Sequence, residues 1–389
     1  MNMRVVFSNV PSFGHFLPLL PLIRAFRRQG HDVAVVTAAG MAPLLAPEGI
    51  ELLPAGPMPD ALFAEVGRKL GINPATEPIP EAVAEFFAGV RVDLTADEAF
   101  AQAKSWQPDL IVNEMLDFVG PLVAAGLDVP LATLAFGPAV PAEFTDPLIA
   151  VVRSRYEERG LPAPQRVQAG RWLLDTCPPG LQFEGFAVPQ GVERIALRPE
   201  PHQAPDASTG AHTPPAGGRP RVLVSFGTVF ADPAVVGPLL GALTDVDVDV
   251  LATLGLDGEP EDYQLDSERV EFTPFVPLAQ LLENVSAVIT HGGAGTTLGT
   301  LARGVPMVVV PQGADQFIQA DRVAASGAGL ALMPGQAGPA AIAAALRRLL
   351  DEPTFTEAAR RIGAEVATMP SPDEVAERLR AEVIGQSQG

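Results

Sequence analysis

The chain has 389 residues, of which 47% are hydrophobic and 19% charged, and its formal net charge is -20. This length favours two domains that each bury a full core, and the acidic balance disfavours nucleic acid and anionic lipid as partners of the whole molecule. Because no run of about 18 uninterrupted apolar residues occurs and the start lacks the apolar core and cleavage site of a secretory signal, we expect a cytoplasmic globular protein without stable membrane insertion.

Strands and helices alternate at the amino terminus. The pattern predicts a strand at residues 5–8, a loop that carries His15, a helix from about Leu17 that Gly30 ends, and a strand at residues 33–37. This order predicts a parallel sheet, in which ligands bind at the carboxyl ends of the strands. His15 falls at such an end and near a helix start, so we predict a neutral catalytic base; a histidine that only packs against its loop is the alternative.

Two carboxylates follow a later predicted strand at residues 109–113. Either could hydrogen-bond the second ring nitrogen of His15 and hold its tautomer. Glu114 lies nearest the strand end and is the first choice, Asp117 is the second, and a solvated loop charge is the alternative for both. Apolar residues in this half suit a pocket for an apolar ligand, with core packing as the alternative for each: Phe13, Met58, Phe63, Phe86, Phe87 and Phe136.

Proline and glycine become frequent at residues 199–220, which we interpret as a linker between domains 1–198 and 221–371. The second domain repeats the alternation of strands and helices, so both halves are predicted as doubly wound α/β units. Cys177 is the single cysteine, which excludes an internal disulfide and a cysteine-built metal site. The strands predicted in the second half lie near residues 221–225, 250–253, 270–273, 287–290 and 307–310.

A glycine-rich turn follows the predicted strand at residues 287–290 and leads into a helix start. Glycines let backbone N–H groups approach a ligand closely, and the first helical turn adds unpaired donors and the positive end of the helix dipole, so the turn suits a phosphate. A turn that only permits tight packing is the alternative. The candidate phosphate contacts, including two at an earlier strand end, are Gly227, Thr228, His291, Gly293, Gly295 and Thr296.

Two further motifs contain aspartate, and only one of them predicts a ligand contact. Asp315 and Gln316 follow the strand at residues 307–310, and their accepting and donating groups suit the vicinal hydroxyls of a sugar, with a polar turn as the alternative. Asp245 and Asp247 alternate with valines, which is typical of the solvated face of a strand rather than of a metal site. We therefore predict no metal site.

Together these motifs resemble the family 1 glycosyltransferases, and specifically the actinobacterial branch that decorates antibiotics and other natural products. The strongest parts of the resemblance are residues 291–297, residues 311–317 and the pair Gly14-His15. The resemblance implies the GT-B fold, in which two Rossmann-like domains face each other across a cleft. It assigns acceptor binding to domain 1–198, donor binding to domain 221–371, and a terminal helix at 372–389 that packs back on the first domain.

The resemblance also implies a metal-independent, inverting transfer that needs a nucleotide sugar and no other cofactor. His15 would take the proton of the acceptor hydroxyl, whose oxygen then attacks the anomeric carbon. Glu114 occupies the position of the carboxylate that pairs with the base, where the family more often has aspartate. Phe275 and Val276 match the place that contacts the nucleotide base, where plant members usually carry tryptophan. The sugar-contacting pair corresponds to Asp315 and Gln316, and the diphosphate contacts correspond to Gly227, Thr228, His291, Gly295 and Thr296.

The expected reaction moves a deoxysugar from a dTDP-sugar, in preference to a hexose from a UDP-sugar, to an apolar polyketide, macrolide or enediyne-like acceptor. This substrate class rests on the resemblance alone. Two alternatives stay open: a non-catalytic nucleotide-binding protein that activates another transferase, and a nucleotide-sugar epimerase. A homodimer also stays open, and the sequence does not identify the sugar, the acceptor or the type of bond formed.

Overall fold

The computed structural model describes residues 2–72, 79–167, 170–204, 218–227, 231–256, 258–263, 265 and 267–386. Contacts divide the chain into two units. The first unit contains the chain up to Thr176, then Phe186–Leu197 and the segment from Pro370 onward. The second unit contains Cys177–Gly185 and Arg198–Met369.

The first unit is built on one parallel sheet of seven strands. Several strands are continuous apolar runs, as in Val5-Val6-Phe7, because both faces of a parallel sheet are covered. The strands are β1 (Arg4–Ser8), β2 (Asp32–Thr37), β3 (Glu51–Pro54), β4 (Leu110–Glu114), β5 (Leu131–Leu134), β6 (Trp172–Asp175) and β7 (Glu193–Ala196). Their order in the sheet is β3-β2-β1-β4-β5-β6-β7. The chain adds β2 and β3 on one side of β1 and the strands from β4 onward on the other side, so the topological switch point of this Rossmann-like sheet lies between β1 and β4.

Eight α-helices of the described residues accompany this sheet, and the helix predicted from about Leu17 begins at Leu20 and is preceded by a separate short helix that ends at Phe16. A π-helical segment, Glu85–Val90, joins the fifth and sixth helices without a break. These helices are α1 (Phe13–Phe16), α2 (Leu20–Arg28), α3 (Ala42–Leu45), α4 (Pro59–Leu70), α5 (Pro80–Ala84), α6 (Arg91–Trp106), α7 (Val119–Leu127) and α8 (Ala142–Glu157).

The second unit repeats the same topology with six parallel strands. The strands are β8 (Arg221–Ser225), β9 (Asp249–Thr253), β10 (Val270–Thr273), β11 (Ala287–Thr290), β12 (Met307–Val309) and β13 (Gly329–Ala331), in the order β10-β9-β8-β11-β12-β13. The helices are α9 (Pro233–Leu243), α10 (Leu278–Leu281), α11 (Ala294–Ala302), α12 (Gln316–Ser326), α13 (Pro339–Asp351) and α14 (Pro353–Thr368). The prediction of two doubly wound α/β units is confirmed.

The last helix, α15 (Pro372–Gln386), is part of the first unit and packs on α2. Its face toward the unit is apolar, since Leu379 is fully buried and Val375 is 1% exposed. Polar contacts fix its ends: Gln29 Nε2 donates to the Asp373 carbonyl oxygen at 2.8 Å, and Trp172 Nε1 donates to Glu382 Oε2 at 2.7 Å. Within the described ranges, no helix is long and apolar enough to cross a membrane.

We expect the substitution Leu379→Ala to destabilise the first unit by about 2–5 kcal/mol, because it removes a fully buried side chain and leaves a cavity between α15 and α2. Chemical denaturation followed by tryptophan fluorescence measures this, since Trp106 and Trp172 both lie in the first unit. The control Glu377→Ala, on the exposed face of α15, should leave the stability close to that of the wild type. Equal losses in the two variants would contradict the packing described here.

Candidate active site

The first unit brings a histidine and a carboxylate together at the carboxyl ends of β1 and β4. These strands are adjacent and in register, with Ser8 paired to Asn113. The loop after β1 leads into α1, which carries His15, while Glu114 is the last residue of β4. His15 Nδ1 lies 2.9 Å from Glu114 Oε1. Of the two carboxylates considered from the sequence, Glu114 is the one in contact with the ring.

Glu114 is completely buried, and the backbone around it satisfies its carboxylate. The Val10 N–H donates to Oε1 at 3.2 Å, and the Leu116 N–H donates to Oε2 at 2.7 Å. An ionised carboxylate only accepts hydrogen bonds, so His15 Nδ1 must carry the proton of this contact. In the neutral ring Nε2 is then the unprotonated, basic nitrogen. A general base requires this tautomer.

Asp117 has a different partner from the one considered in the sequence. Its Oδ1 accepts a hydrogen bond from Arg91 Nη2 at 2.7 Å, and both side chains are almost completely buried. Its other oxygen accepts from the Gly120 N–H at 2.9 Å, so the carboxylate also satisfies the first turn of α7. Asp117 therefore holds local structure beside the site instead of contacting the His15 ring.

The helix that carries His15 also differs from the expectation. His15 is the third residue of the four-residue helix α1, not a residue before a long helix from Leu17. One helical turn supplies little dipole, so the helix-dipole argument for a neutral ring has no basis in this geometry. The Glu114 contact is the feature that controls the ring.

A row of aromatic rings extends from His15 toward the surface. Phe87 and Phe136 both pack near the imidazole, with ring centroids 5.8 and 5.7 Å away. Phe86 packs edge-on against Phe87 at 4.9 Å, and Phe63 stacks on Phe86 at 4.5 Å. Phe63 is 39% exposed, so the row ends at solvent. These rings form an apolar wall beside the basic nitrogen.

Phe13 and Met58 occupy other positions from these rings. Phe13 is half-buried at the first position of α1, two residues before His15. Met58 lies against the loop after β2, where a Cβ added at Gly40 would come within 2.7 Å of its sulfur. Among the predicted apolar residues, the row of ring contacts that starts at His15 includes Phe87, Phe136, Phe86 and Phe63.

In the second unit, His291 is clamped between two glycines. A Cβ at Gly293 would lie 2.6 Å from His291 Nε2, and a Cβ at Gly227 would lie 2.8 Å from His291 Cε1. Gly227 also has a φ of +71°, which disfavours other residues. The loops after β8 and β11 can meet around this ring only because both positions lack a side chain. Thr228, predicted beside Gly227, lies outside the described residues.

Burial controls the charge of His291. The residue is 7% exposed, and this desolvation lowers the pKa of the imidazole from 6.5 to about 4. A hydrogen bond with the Ser225 backbone opposes the shift but does not overcome it. His291 is therefore a neutral hydrogen-bonding group at physiological pH and supplies no positive charge.

The start of α11 provides the unpaired backbone N–H donors that were predicted from the glycine-rich sequence. Gly293 is the N-cap residue and has no capping side chain, and the first intrahelical bond runs from the Thr297 N–H to the Gly293 carbonyl at 2.9 Å. The N–H groups of Ala294, Gly295 and Thr296 precede that bond and thus point out of the helix end. Gly295 is exposed, and a Cβ there would meet no atom within 4 Å. This end is open to an anion.

The predicted base-contacting residues follow β10. Phe275 is 38% exposed, and Val276 beside it is half-buried. The ring of His202 stacks near Phe275, with centroids 6.4 Å apart and planes at 27°. The His202 carbonyl accepts the Ala279 N–H at 3.1 Å, which ties this segment to α10. The ring of Phe275 is thus partly exposed, and the ring of His202 packs near it.

Asp315 and Gln316 differ from each other in their surroundings. Gln316 is 3% exposed, and its Oε1 already accepts the Gln312 and Gly313 N–H groups at 2.8 and 3.0 Å. It shapes the turn after β12, in which Ala314 has a strained φ of +54°. Asp315 is half-buried at the N-cap of α12 and is the more exposed side chain of this pair.

Arg91 was not predicted as a site residue from the sequence, and it donates to both the Asn9 carbonyl and Asp117 at 2.7 Å. The available signal was a charged residue on an apolar helical face, one turn after Phe87 and one before Thr95. Within the described parts of the chain, no group of three or more His, Cys, Asp or Glu side chains is arranged to hold a metal ion.

Comparisons with known proteins identify the family of the chain. Residues 24–227 match the model of the erythromycin biosynthesis protein CIII-like N-terminal domain, and residues 238–382 match that of the corresponding C-terminal domain. The elloramycin glycosyltransferase of Streptomyces olivaceus is 33% identical, with 97% of each chain covered. The aclacinomycin-T 2-deoxy-L-fucose transferase of Streptomyces galilaeus is 31% identical, with 98% of this chain and 97% of that one covered.

A solved structure shares the whole fold. The glycosyltransferase SsfS6 from a Streptomyces species, complexed with thymidine diphosphate, is 27% identical and superposes with a TM-score of 0.79 over 98% of this chain and 100% of the other. Both domain models, the relatives and the two Rossmann-like sheets indicate the same family and fold. The chain therefore belongs to the erythromycin biosynthesis protein CIII-like family, an actinobacterial branch of the family 1 glycosyltransferases with the GT-B fold.

Proposed function

We propose that this glycosyltransferase moves a deoxysugar from a dTDP-sugar to a hydroxyl of an apolar, polyketide-like acceptor, with inversion at the anomeric carbon. The observation that carries the proposal is the contact between His15 Nδ1 and Glu114 Oε1, beside a row of aromatic rings. The relative named as a 2-deoxy-L-fucose transferase and the fold neighbour bound to thymidine diphosphate support the donor class. A cytoplasmic location and a homodimer remain predictions from the sequence.

His15 acts as the general base in this proposal. Nε2 takes the proton from the acceptor hydroxyl while the oxygen attacks the anomeric carbon and the bond to the diphosphate breaks. The Glu114 carboxylate stabilises the imidazolium that forms, because it accepts a hydrogen bond from Nδ1–H and is itself completely buried. A single displacement on one face of the sugar produces inversion.

The second unit stabilises the leaving group in the same proposal. The backbone N–H groups at the start of α11 donate hydrogen bonds to the diphosphate as its charge grows, and the neutral ring of His291 shapes the turn that presents them. Phe275 stacks on the nucleotide base, Val276 contacts it, and Asp315 binds sugar hydroxyls. Gln316 contributes by holding the turn that positions Asp315.

The apolar acceptor follows from the surroundings of His15. Phe87 and Phe136 border the imidazole, and Phe86 and Phe63 continue the apolar surface outward. Planar or macrocyclic acceptors bury area against such rings, whereas a small polar acceptor leaves them exposed to water.

An auxiliary role without catalysis and an epimerase reaction are the competing functions, and one assay separates all three. The purified protein is incubated alone with dTDP-activated deoxysugars and aromatic polyketide aglycones, and products are identified by mass spectrometry. A glycosylated aglycone supports the proposal. Conversion of the donor without any acceptor would indicate an epimerase, and transfer only after a second protein is added would indicate an auxiliary role.

Replacing His15 by alanine should lower kcat about 10²–10⁴-fold, because the acceptor hydroxyl loses its base, while thymidine diphosphate binding measured calorimetrically stays unchanged. Glu114→Gln should also lower kcat, since the imidazolium loses its counter-charge. The control His31→Ala removes another histidine of the same unit, one whose Nδ1 accepts the Met3 N–H at 3.1 Å. It should cost stability but leave the turnover of folded protein intact. Wild-type turnover in His15→Ala would exclude the base.

The substitution Gly293→Ala should weaken thymidine diphosphate binding about 10- to 100-fold, the loss expected when a hydrogen bond to a charged group is broken. Its Cβ would collide with His291 Nε2 and displace the ring. Gly241→Ala in α9 is the matched control, because a Cβ there meets nothing within 4 Å. Calorimetric titration compares the two variants, and unchanged affinity in Gly293→Ala would remove His291 from the donor site.

The second unit should lose stability in acid because of His291. Its folded pKa of about 4 lies below the unfolded value of 6.5, so the unfolded chain binds the proton more tightly. The neutral ring is fully compatible with folding above pH 6.5, and about 3 kcal/mol is lost as the pH falls from 6.5 toward 4. Hydrogen exchange of β8 and β11 amides measures this loss, which His291→Gln should largely abolish. An identical pH dependence in that variant would contradict the assignment.

A further inference from the structure

Arg91 is a buried charge that the proposed chemistry does not use. It is the first residue of α6 and only 1% exposed. A single nitrogen, Nη2, donates to both the Asn9 carbonyl and Asp117 Oδ1 at 2.7 Å. Within the described part of the chain, Nε and Nη1 are buried without hydrogen-bond partners. Such a group is costly to bury, so its position calls for an explanation.

The Asn9 carbonyl belongs to the same peptide group as the Val10 N–H. That N–H donates to Glu114 Oε1 at 3.2 Å, and the same oxygen binds His15 Nδ1 at 2.9 Å. A peptide group is planar and rigid, so a contact that holds its oxygen also fixes the direction of its N–H. A hydrogen bond to the carbonyl also polarises the peptide and strengthens the N–H as a donor.

The second partner of Arg91 leads to the same carboxylate from the other side. The Asp117 N–H donates to the Glu114 carbonyl at 3.0 Å. Asn113 Nδ2 donates to the carbonyls of both Glu114 and Asp117, at 2.8 and 3.0 Å. The turn that follows β4 is therefore braced internally, and the guanidinium joins this turn to the peptide after β1.

A purely structural role explains these contacts less well. An apolar side chain of similar volume would fill the space without two unpaired nitrogens, and such replacements of buried ion pairs are often neutral or stabilising. The same helical segment also places Phe87, four residues before Arg91, against the His15 ring. The helix thus contacts the base directly through Phe87 and indirectly through Arg91.

We propose that Arg91 is a positioning residue for the base, acting through the Asn9–Val10 peptide on Glu114 and so on the His15 tautomer. The inference rests on the proposed function only in taking His15 as the base. Arg91 also neutralises Asp117, which leaves the Glu114 carboxylate as the uncompensated charge beside the ring. When the guanidinium is lost, the Val10 N–H turns away, Glu114 Oε1 loses a fixed donor, and the Nδ1–H tautomer of His15 is no longer enforced.

Nitrogen NMR of the full-length protein, labelled with 15N at its five histidines, tests this directly. The wild type should show His15 as one tautomer with a slowly exchanging Nδ1 proton. Arg91→Met should give a mixture of tautomers and lose the slow Nδ1 proton signal. Arg91→Lys offers the donors of both bonds from one charged nitrogen and should retain the wild-type signal. Arg91→Gln gives the same readout as Arg91→Met if the methionine variant does not fold.

The matched control is Arg194→Met, which breaks another Arg–Asp pair of the first unit, from Arg194 Nε to Asp175 Oδ2 at 2.6 Å. It should lower the thermal stability while leaving the His15 tautomer unchanged. A single Nδ1–H tautomer in folded Arg91→Met, or equal shifts in Arg91→Met and Arg194→Met, would overturn the inference.

Failure of the proposed function would look different. If no sugar were transferred with any donor and acceptor but Arg91→Met still changed the His15 tautomer, the proposed reaction would be contradicted. The positioning role of Arg91 would still be supported. With an active donor and acceptor pair, Arg91→Met should lower kcat and leave thymidine diphosphate affinity unchanged. Arg91→Lys should restore most of the turnover.

Discussion

The parallel pairing of β1 with β4 is the constraint on which the chemistry of the first unit depends. With Ser8 opposite Asn113, the two strands end side by side, and the next residues of each chain segment must share one small volume. Val10 and His15 reach that volume from one strand and Glu114 from the other. A shift of the register by one residue would turn Glu114 to the other face of the sheet and separate the pair.

The second unit repeats this geometry for a different purpose. Ser225 of β8 is opposite Thr290 of β11, so their loops also meet, but here glycines leave room for the His291 ring and for backbone donors. The first unit concentrates a buried negative charge, which in the proposed reaction prepares a base. The second concentrates neutral N–H donors, which in the same proposal bind the negatively charged diphosphate. The same topological switch point thus supports opposite electrostatics, because the loop residues and not the sheet define the chemistry.

The sequence predicted the features that depend on local pattern. Strands such as β1, β8 and β11 are short apolar runs, and the glycine turn before α11 is contiguous, so both can be recognised without tertiary information. The edge strands β3, β7 and β13 were missed because an edge strand is only partly buried and carries a weak apolar pattern. The buried strand β6 was also missed, because its four residues include no valine or isoleucine of the kind that marks most of the predicted strands. The helix from Leu17 was wrong in its start, since α1 ends at Phe16 and α2 begins at Leu20.

Residues that act over long sequence separations could not be predicted from the chain alone. Arg91 lies 82 positions from Asn9 and 26 from Asp117, and only the folded sheet shows that it joins them. The partner of Asp117, the second choice for His15, could not be predicted for this reason, since it is the buried cation of Arg91. The proposed positioning role of Arg91 depends on this neutralisation. If Asp117 were unpaired, a second buried carboxylate would lie three residues from Glu114, and the two like charges would disfavour the ionised Glu114 that accepts the His15 hydrogen bond.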